Sequence, residues 1–347
     1  AFNYGPQKWT MNNLNVTHQS NSKLFDEMVL RLAHQFFEES RVSRNINNSN
    51  REIRTEKVNA YSINVDFSKA ISLTHKAYYG VEYVLNDVNS TGINQNIVAG
   101  TSQAGPSRYP QATWQSMGVF VNNQYLVTDK TSLQAGLRYN KYILKADFDT
   151  TFYPFPFTEA HIDNGSLTGS AGIVFRPTDK WVISSNVATA FRSPNVDDVG
   201  KVFDSEPGSV VIPNPNLEAE YAYNVDLNVA KMFGKSVKVD VSTYYTLLDN
   251  ALVRRDFTLN GASEIVYDGE LSQVQAIQNA AKANVFGIQA GVEVKLPTGF
   301  RFSTDLNFQK GEEELDNGDK SPSRHAAPFF GISRVGYANS KVDLELN

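Results

Sequence analysis

The chain has 347 residues, no cysteine, 41% hydrophobic and 20% charged residues, and a formal net charge of −5. Without cysteine, neither a disulfide framework nor a cysteine-ligated zinc site is open to it, and the acidic balance gives no basic footprint for nucleic acid. No run of about eighteen apolar residues occurs, which excludes a helical membrane protein; a membrane barrel is left open, because its strands are apolar on only one side.

The chain starts Ala1-Phe2-Asn3-Tyr4, without the basic start and apolar core of a signal peptide. Period-two alternation then dominates. Tyr61, Ile63, Val65 and Phe67 alternate with Ser62, Asn64 and Asp66, and Leu133, Ala135, Leu137 and Tyr139 with Gln134, Gly136 and Arg138. Further on, Tyr221, Tyr223, Val225, Leu227 and Val229 alternate with Ala222, Asn224, Asp226 and Asn228. Val237, Val239 and Val241 follow, then Phe300, Phe302, Thr304, Leu306 and Phe308. Stretches of this kind predict about fourteen strands, many longer than those of globular sheets. No amphipathic helix is predicted, and the Gln/Ala-rich stretch 273–283 reads as a turn or two within a loop.

The connections alternate in length. Short turns are predicted near 19–23, 68–70, 128–130, 176–180, 233–235, 297–299 and 338–340. Long segments lie near 38–57, 86–113, 146–166, 193–217, 249–284 and 311–327. Long loops are uncommon in compact domains; on every second connection they all emerge on one side of an up-and-down sheet, the pattern of outer-membrane barrels. Tyr83, Tyr139 and Tyr245 fall on outward registers at strand ends leading into long loops, with Tyr221 and Tyr223 just after one. Tyr125, Trp181 and Phe233 fall on the short-turn side. Two such bands are the girdles expected at the lipid interfaces, although any one of these rings would serve equally in a sandwich core. The opposite face, rich in Asn, Gln, Ser and charged residues, suits a wet or plugged lumen.

Chemistry-bearing motifs are sparse. His18, His34, His75, His161 and His325 are widely spaced, with no HExxH pair, and no GxSxG occurs. The acidic run Glu312-Glu313-Glu314 with Asp316 and Asp319 does not meet the calcium-loop pattern and reads as a solvated loop. No catalytic residue, metal site or cofactor is predicted.

Ala190-Phe191-Arg192-Ser193-Pro194-Asn195, followed by Asn214-Pro215-Asn216-Leu217-Glu218-Ala219-Glu220, resembles the paired "FRAP…NPNLxPE" signature of TonB-dependent outer-membrane receptors. Asn279 to Gly287 is similar to their downstream "NxxxAxxxG" element, and Arg324-His325-Ala326-Ala327-Pro328 to their "RHAPP" segment. The matches run in family order over about half the chain, closest in style to Bacteroidetes-like receptors. The resemblance implies an all-β, antiparallel, transmembrane up-and-down barrel of about twenty-two strands, of which 1–347 would be an incomplete domain. It implies a plug domain and a TonB box, neither recognisable here, so partnership with the TonB complex would run through an absent N-terminal segment. The chain ends in the alternating stretch 342–347 without a terminal aromatic strand, which predicts an internal portion of a longer polypeptide; a complete fourteen-stranded passive channel is the structural alternative.

The function so implied is active uptake of a scarce nutrient across the outer membrane, a ferric siderophore first. Some haem receptors of the family carry a histidine between the two signature elements; 195–213 contains none. Tyr109, Phe152, Tyr153, Phe155, Phe157, Arg254, Arg255 and Tyr267 are candidate ligand contacts in outside loops, with ordinary loop packing as the alternative for each. Phe191, Arg192, Pro194, Asn214, Pro215, Asn216 and Leu217 are read as structural, Arg192 as a brace at its strand end. A secreted β-rich adhesin or glycan-binding protein is the rival from another class.

Overall fold

The computed structural model describes residues 2–200, 203–206, 208–267, 269–279, 282–314, 319–322 and 327–347. β1 (Phe2–Tyr4) and β2 (Lys8–Gln19) lie along one side of β3 (Glu27–Ser43), which pairs on its other side with β4 (Asn50–Ala70). β5 (His75–Asn96) follows; β6 (Thr101–Gly105) folds back on its far end, and β7 (Gln111–Thr128) takes up the rest of its length. β8 (Thr131–Asp147), β9 (Glu159–Phe175) and β10 (Trp181–Arg192) continue the antiparallel ladder. A short helix, α1 (Val196–Gly200), β11 (Phe203–Glu206) and β12 (Ser209–Ile212) then intervene before β13 (Glu220–Phe233) and β14 (Val237–Asp249). β15 (Leu252–Asp256), β16 (Glu264–Tyr267) and β17 (Glu270–Asn279) separate β14 from β18 (Lys282–Lys295). β19 (Phe300–Glu314), β20 (Lys320–Pro322), β21 (Phe329–Ala338) and β22 (Asp343–Leu346) end the order.

One wall carries the architecture. β2, β3, β4, β5, β7, β8, β9, β10, β13, β14, β18, β19, β21 and β22 pair in sequence order, every pair antiparallel. The short strands β1, β6 and β20 extend it at its long-loop end. This is the meander that alternating turn lengths predicted. Short turns recur at the other end; in the turn before β19, Gly299 takes φ +95°, where a Cβ would come within 2.2 Å of the Ala338 carbonyl oxygen.

Strand length shows how far the wall extends. β4 has 21 residues and β5 has 22, or ~70 Å at about 3.3 Å per residue, whereas about 9–11 residues cross a bilayer. The wall therefore continues well past the lipid on the long-loop side. Two expectations are corrected here. The segment near 38–57 is not a long loop: β3 and β4 pair from Glu27↔Ser68 to Ser43↔Glu52. The segment 273–283 is not a turn: its described residues lie in β17 and β18. α1 is also a helix that was not predicted.

The pleat sorts the faces. Val225 and Leu227 are exposed, and their cross-strand partners Val187, Tyr245, Ser185 and Thr243 lie on the same face. The exposed apolar band continues through Val119, Val121, Leu137, Leu167, Ile288 and Leu306. No second layer covers it among the described residues, as a sandwich core would require. At its short-turn margin the Lys231 ammonium lies 4.4 Å from the ring centres of both Trp181 and Phe233, an apolar stem with its charge at an interface. The opposite, inner face is polar: Asp226 accepts from the side-chain amides of Asn228 at 2.8 Å and Asn224 at 3.3 Å, and Arg138 donates to Glu82 at 3.1 Å. No described helix is long and apolar enough to cross a membrane; strands do the crossing.

Candidate functional site

On β7, β8 and β9 the alternation reverses phase toward the long-loop end. Along β8 the outward residues change from Leu137 and Tyr139 to Lys141, Ile143, Lys145 and Asp147, mostly charged, while the inward ones change from Arg138 and Asn140 to Tyr142, Leu144 and Ala146. Leu144 is fully buried, in one cluster with Ala112 of β7, Ala160 and Ile162 of β9, Phe148, and Val196, Val199 and Leu217 of the long connection after β10. Above the lipid the outside of the wall is in water, so most of its residues are polar; Lys141 pairs there with Asp163. The inside is covered by folded loops, so its residues are apolar.

The signature residues form a knot that anchors this cover. Arg192, the last residue of β10, donates to both carboxylate oxygens of Asp198 in α1, at 2.7 and 2.6 Å, and to Glu220 on β13 at 3.3 Å. Asn195 and Asp198 bond reciprocally: the Asn195 amide donates to the Asp198 carboxylate at 2.9 Å, and the Asp198 amide to the Asn195 side-chain oxygen at 3.0 Å. That pair caps the helix start. The Asn214 side chain donates to the Ile277 carbonyl at 2.8 Å and accepts from the Asn216 amide at 3.1 Å. Pro194 and Pro213 are fully buried, and Leu217 is 4% exposed. Asn279 ties Glu218 to Asn250, donating to their carbonyls at 3.0 and 2.9 Å. Residues 280, 281 and 324–326 of the other two signature elements, and 315–318 of the acidic run, lie outside the described residues.

The long connections build a second sheet. β12 pairs β11 and, in parallel, β17, whose other side is taken by β15 and β16. One face of it buries Val210, Ile212, Val274 and Ala276 against Leu259, with Tyr153, Phe155, Phe257, Ile265 and Tyr267 packed around them.

The predicted contacts meet here unequally. Tyr109, Phe152, Tyr153 and Phe155 line one cavity of about 30 Å³ with Arg108 and Phe148, room for about one water. Tyr153 stacks on Tyr267 at 6.2 Å and tilts against Phe155 at 5.7 Å; Phe155 stacks on Phe157 at 5.5 Å. Much of this aromatic run is thus internal packing of the cover. The Tyr109 hydroxyl donates to Asp197 at 2.7 Å and accepts from the Arg108 guanidinium at 3.1 Å. Burial pushes the Tyr109 and Tyr153 phenols above the usual range, so both stay protonated donors. Arg254 and Arg255 stand apart on β15, where Arg255 donates to the Glu314 carbonyl.

A charged row beside this cluster was missed. Glu39 and Arg41 of β3 face Glu56 and Arg54 of β4 on the inner side, with Glu52 two residues on. Arg41 lies 2.5 Å from Glu39 and 3.6 Å from Glu56, and Arg54 lies 3.0 Å from Glu52. Glu56 is 6% exposed; burial raises its carboxyl above the usual range against the pull of Arg41 and Arg108. The period-two spacing of Glu52, Arg54 and Glu56 was the available signal. Among the described residues, no group of three or more His, Asp or Glu is placed to hold a metal ion.

The family model "TonB dependent receptor-like, beta-barrel" matches residues 2–340. The haemoglobin and haemoglobin-haptoglobin-binding protein of Haemophilus ducreyi is 27% identical over 168 residues, covering 45% of this chain and 16% of that protein. Among solved structures, the copper transporter OprC superposes with a TM-score of 0.79 at 12% identity, over 98% of this chain and 52% of that one. The FrpB iron transporter from Neisseria meningitidis gives a TM-score of 0.68 at 14% identity, over 97% and 50%. The chain therefore spans about half the length of these solved structures.

Proposed function

Because the chain belongs to the TonB-dependent receptor β-barrel family and is a wall of the outer membrane of a Gram-negative cell, we propose that the complete receptor actively imports an anionic metal complex, a ferric siderophore in the first instance. The reading rests on one observation above others. Arg41, Arg54 and Arg108 gather on the inner face at the long-loop end, beside the phenols of Tyr109 and Tyr153. Arg41 is held there by Glu39 and Glu56 and Arg54 by Glu52, carboxylates that an oxyanionic cargo would exchange with. Guanidinium groups recognise oxyanions with directed, charge-assisted donors, and the phenol rings add flat apolar surface. Cargo held there sits at the entrance to the polar lumen. The wall and its cover select the cargo and perform no covalent chemistry; the energised TonB complex, acting on a segment of the complete receptor, drives passage.

Deletion of the TonB box from the complete receptor abolishes uptake of a radio-iron-labelled catecholate complex and spares its binding at the cell surface. Uptake that persists in energy-depleted cells would mean passive flow and defeat the reading. The similarity to the Haemophilus protein favours a second cargo, haem or a haem protein. Competition of haemin and haemoglobin against the ferric complex for surface binding separates the two.

A further inference from the structure

We propose that the lipid-facing side of the wall, at its short-turn margin, seats one phospholipid with a net negative headgroup, held by its phosphate at Lys231. Short turns mark the periplasmic end of such a wall, so the lipid belongs to the periplasmic leaflet. Lys231 of β13 stands directly opposite Trp181 of β10, and Phe233 closes β13 two residues on. The ammonium lies 4.4 Å from the centre of each ring. β10, β13 and β14 each have both neighbours within the wall. This outward patch therefore borders no missing strand, and a plug inside the barrel does not reach it.

The charge is positioned but not neutralised. Among the described residues Lys231 makes neither an ion pair nor a hydrogen bond; its cation meets only the two ring faces. The Trp181 indole N–H likewise meets no acceptor among them. The rest of the surroundings is apolar: Val239 lies directly opposite on β14, and Val229 and Ile183 form the next outward pair toward mid-membrane. Ring faces offset only part of the cost of drawing an ammonium out of bulk water. Lys231 thus stands where the apolar band ends, its stem on hydrocarbon and its head at headgroup level. The anion present at that level is a lipid phosphate.

The neighbouring turns decide which headgroup fits. The Met232 amide donates to the Lys180 carbonyl at 2.8 Å, which sets the turn 176–180 against the turn 233–235. Arg176, Lys180 and Lys235 are exposed in these turns, and Asp179 is their only carboxylate. The chain as a whole carries a net charge of −5, so this basic patch runs against its composition. Every phospholipid brings a phosphate, but a zwitterionic one also brings an ammonium. That group meets like charge here. A glycerol headgroup meets none, and its hydroxyls offer oxygen to the Trp181 N–H.

The test is native mass spectrometry of the complete receptor in detergent micelles, titrated separately with dioleoyl-phosphatidylglycerol and dioleoyl-phosphatidylethanolamine. The first phosphatidylglycerol binds more tightly than the first phosphatidylethanolamine. Lys231→Gln weakens it about fivefold, the scale of one basic residue near an anionic lipid surface, and Lys231→Arg retains it. Lys141→Gln, on the outward face at the long-loop end and paired with Asp163, leaves it unchanged. Glycerol phosphate, which has no acyl chains to lie on the apolar band, does not displace the lipid. Heat-resistant mobility on gels reports the fold of each variant. If Lys231→Gln fails to fold, Phe233→Ala supplies a partial loss, since it removes a 49% exposed ring and leaves the charge. Equal affinity for the two lipids in the wild type overturns the proposal, as does displacement by glycerol phosphate. So does wild-type binding in folded Lys231→Gln or in Phe233→Ala, or an equal loss in Lys141→Gln.

Discussion

Asn279 holds Glu218 by both of its backbone polar groups: its side-chain oxygen accepts from the Glu218 amide at 2.9 Å, and its nitrogen donates to the Glu218 carbonyl at 3.0 Å. One side chain thus acts as a strand would, joining the end of β17 to the segment entering β13. Asn279→Ala removes these bonds and the one to Asn250. At about 1 kcal/mol per net hydrogen bond, the cover should lose about 3 kcal/mol while the wall below is untouched. Limited proteolysis of the membrane-inserted receptor checks this: cleavage within the cover segments 203–217 and 251–279 rises, and heat-resistant barrel mobility on gels stays as in the wild type. Unchanged cleavage would show that the knot holds without Asn279.

The two faces of β13 differ sharply in what they tolerate. Leu227 is 46% exposed on the apolar face, whereas its neighbour Asp226 sits among the amides of Asn224 and Asn228. An arginine near mid-bilayer costs about 2–4 kcal/mol. Leu227→Arg therefore impairs folding of the complete barrel into lipid bilayers far more than Asp226→Arg. Equal impairment would mean that the lipid face has been misassigned.

Glu56 gives a pH dependence of unusual sign. Its carboxyl is raised by burial, so the folded state binds its proton more tightly than the unfolded state does. Its contribution is then most favourable below the unfolded pKa and is lost as pH rises through the higher folded pKa. Glu56→Gln removes that loss, so the variant gains on the wild type as pH rises through this window and is the more stable at neutral pH. Urea midpoints of both proteins across the acid range measure it; a variant that loses ground to the wild type as pH rises contradicts the assignment.

Tyr244 lies over Gly287, where an added Cβ would come within 2.3 Å of its ring, and its hydroxyl donates to Gln309 at 3.0 Å. Overpacking of this kind costs about 1–3 kcal/mol. Gly287→Ala should destabilise the barrel by that amount, and much less in a Tyr244→Ala background, where the obstructing ring is gone. Additive losses in the double-mutant cycle would show that the two positions do not meet.

The wall was legible because its cause is local. Val225, Leu227 and Val229 alternate with Asn224, Asp226 and Asn228 whatever lies beside them, and the short turns are set by neighbouring residues. The strands through 38–57 were not legible, because both faces there are charged and the row is held by ion pairs across strands, Arg41 with Glu56 among them. β17 was hidden for a related reason: its partners lie in 209–212, 252–256 and 264–267, and no feature of its own Gln/Ala-rich sequence announces them. α1 has five residues, too few for a helical period, and stands on the Asn195–Asp198 cap. Of the candidate contacts, the aromatic character of 152–157 was visible; that these rings chiefly meet one another required the second sheet.

The phase reversal along β8 has a consequence for how such a strand finds its place. Suppose β8 slipped by one residue against its neighbours. Arg138 and Asn140 would turn into hydrocarbon, and at the same moment Lys141 and Lys145 would be driven into the space that Tyr142 and Leu144 occupy. Each half of the strand, reading a different solvent, vetoes the same error, so the lower half cannot be mispaired without breaking the upper. The loop end thus proofreads the membrane-spanning part, and an insertion of one residue between Tyr139 and Tyr142 would set the two halves permanently against each other.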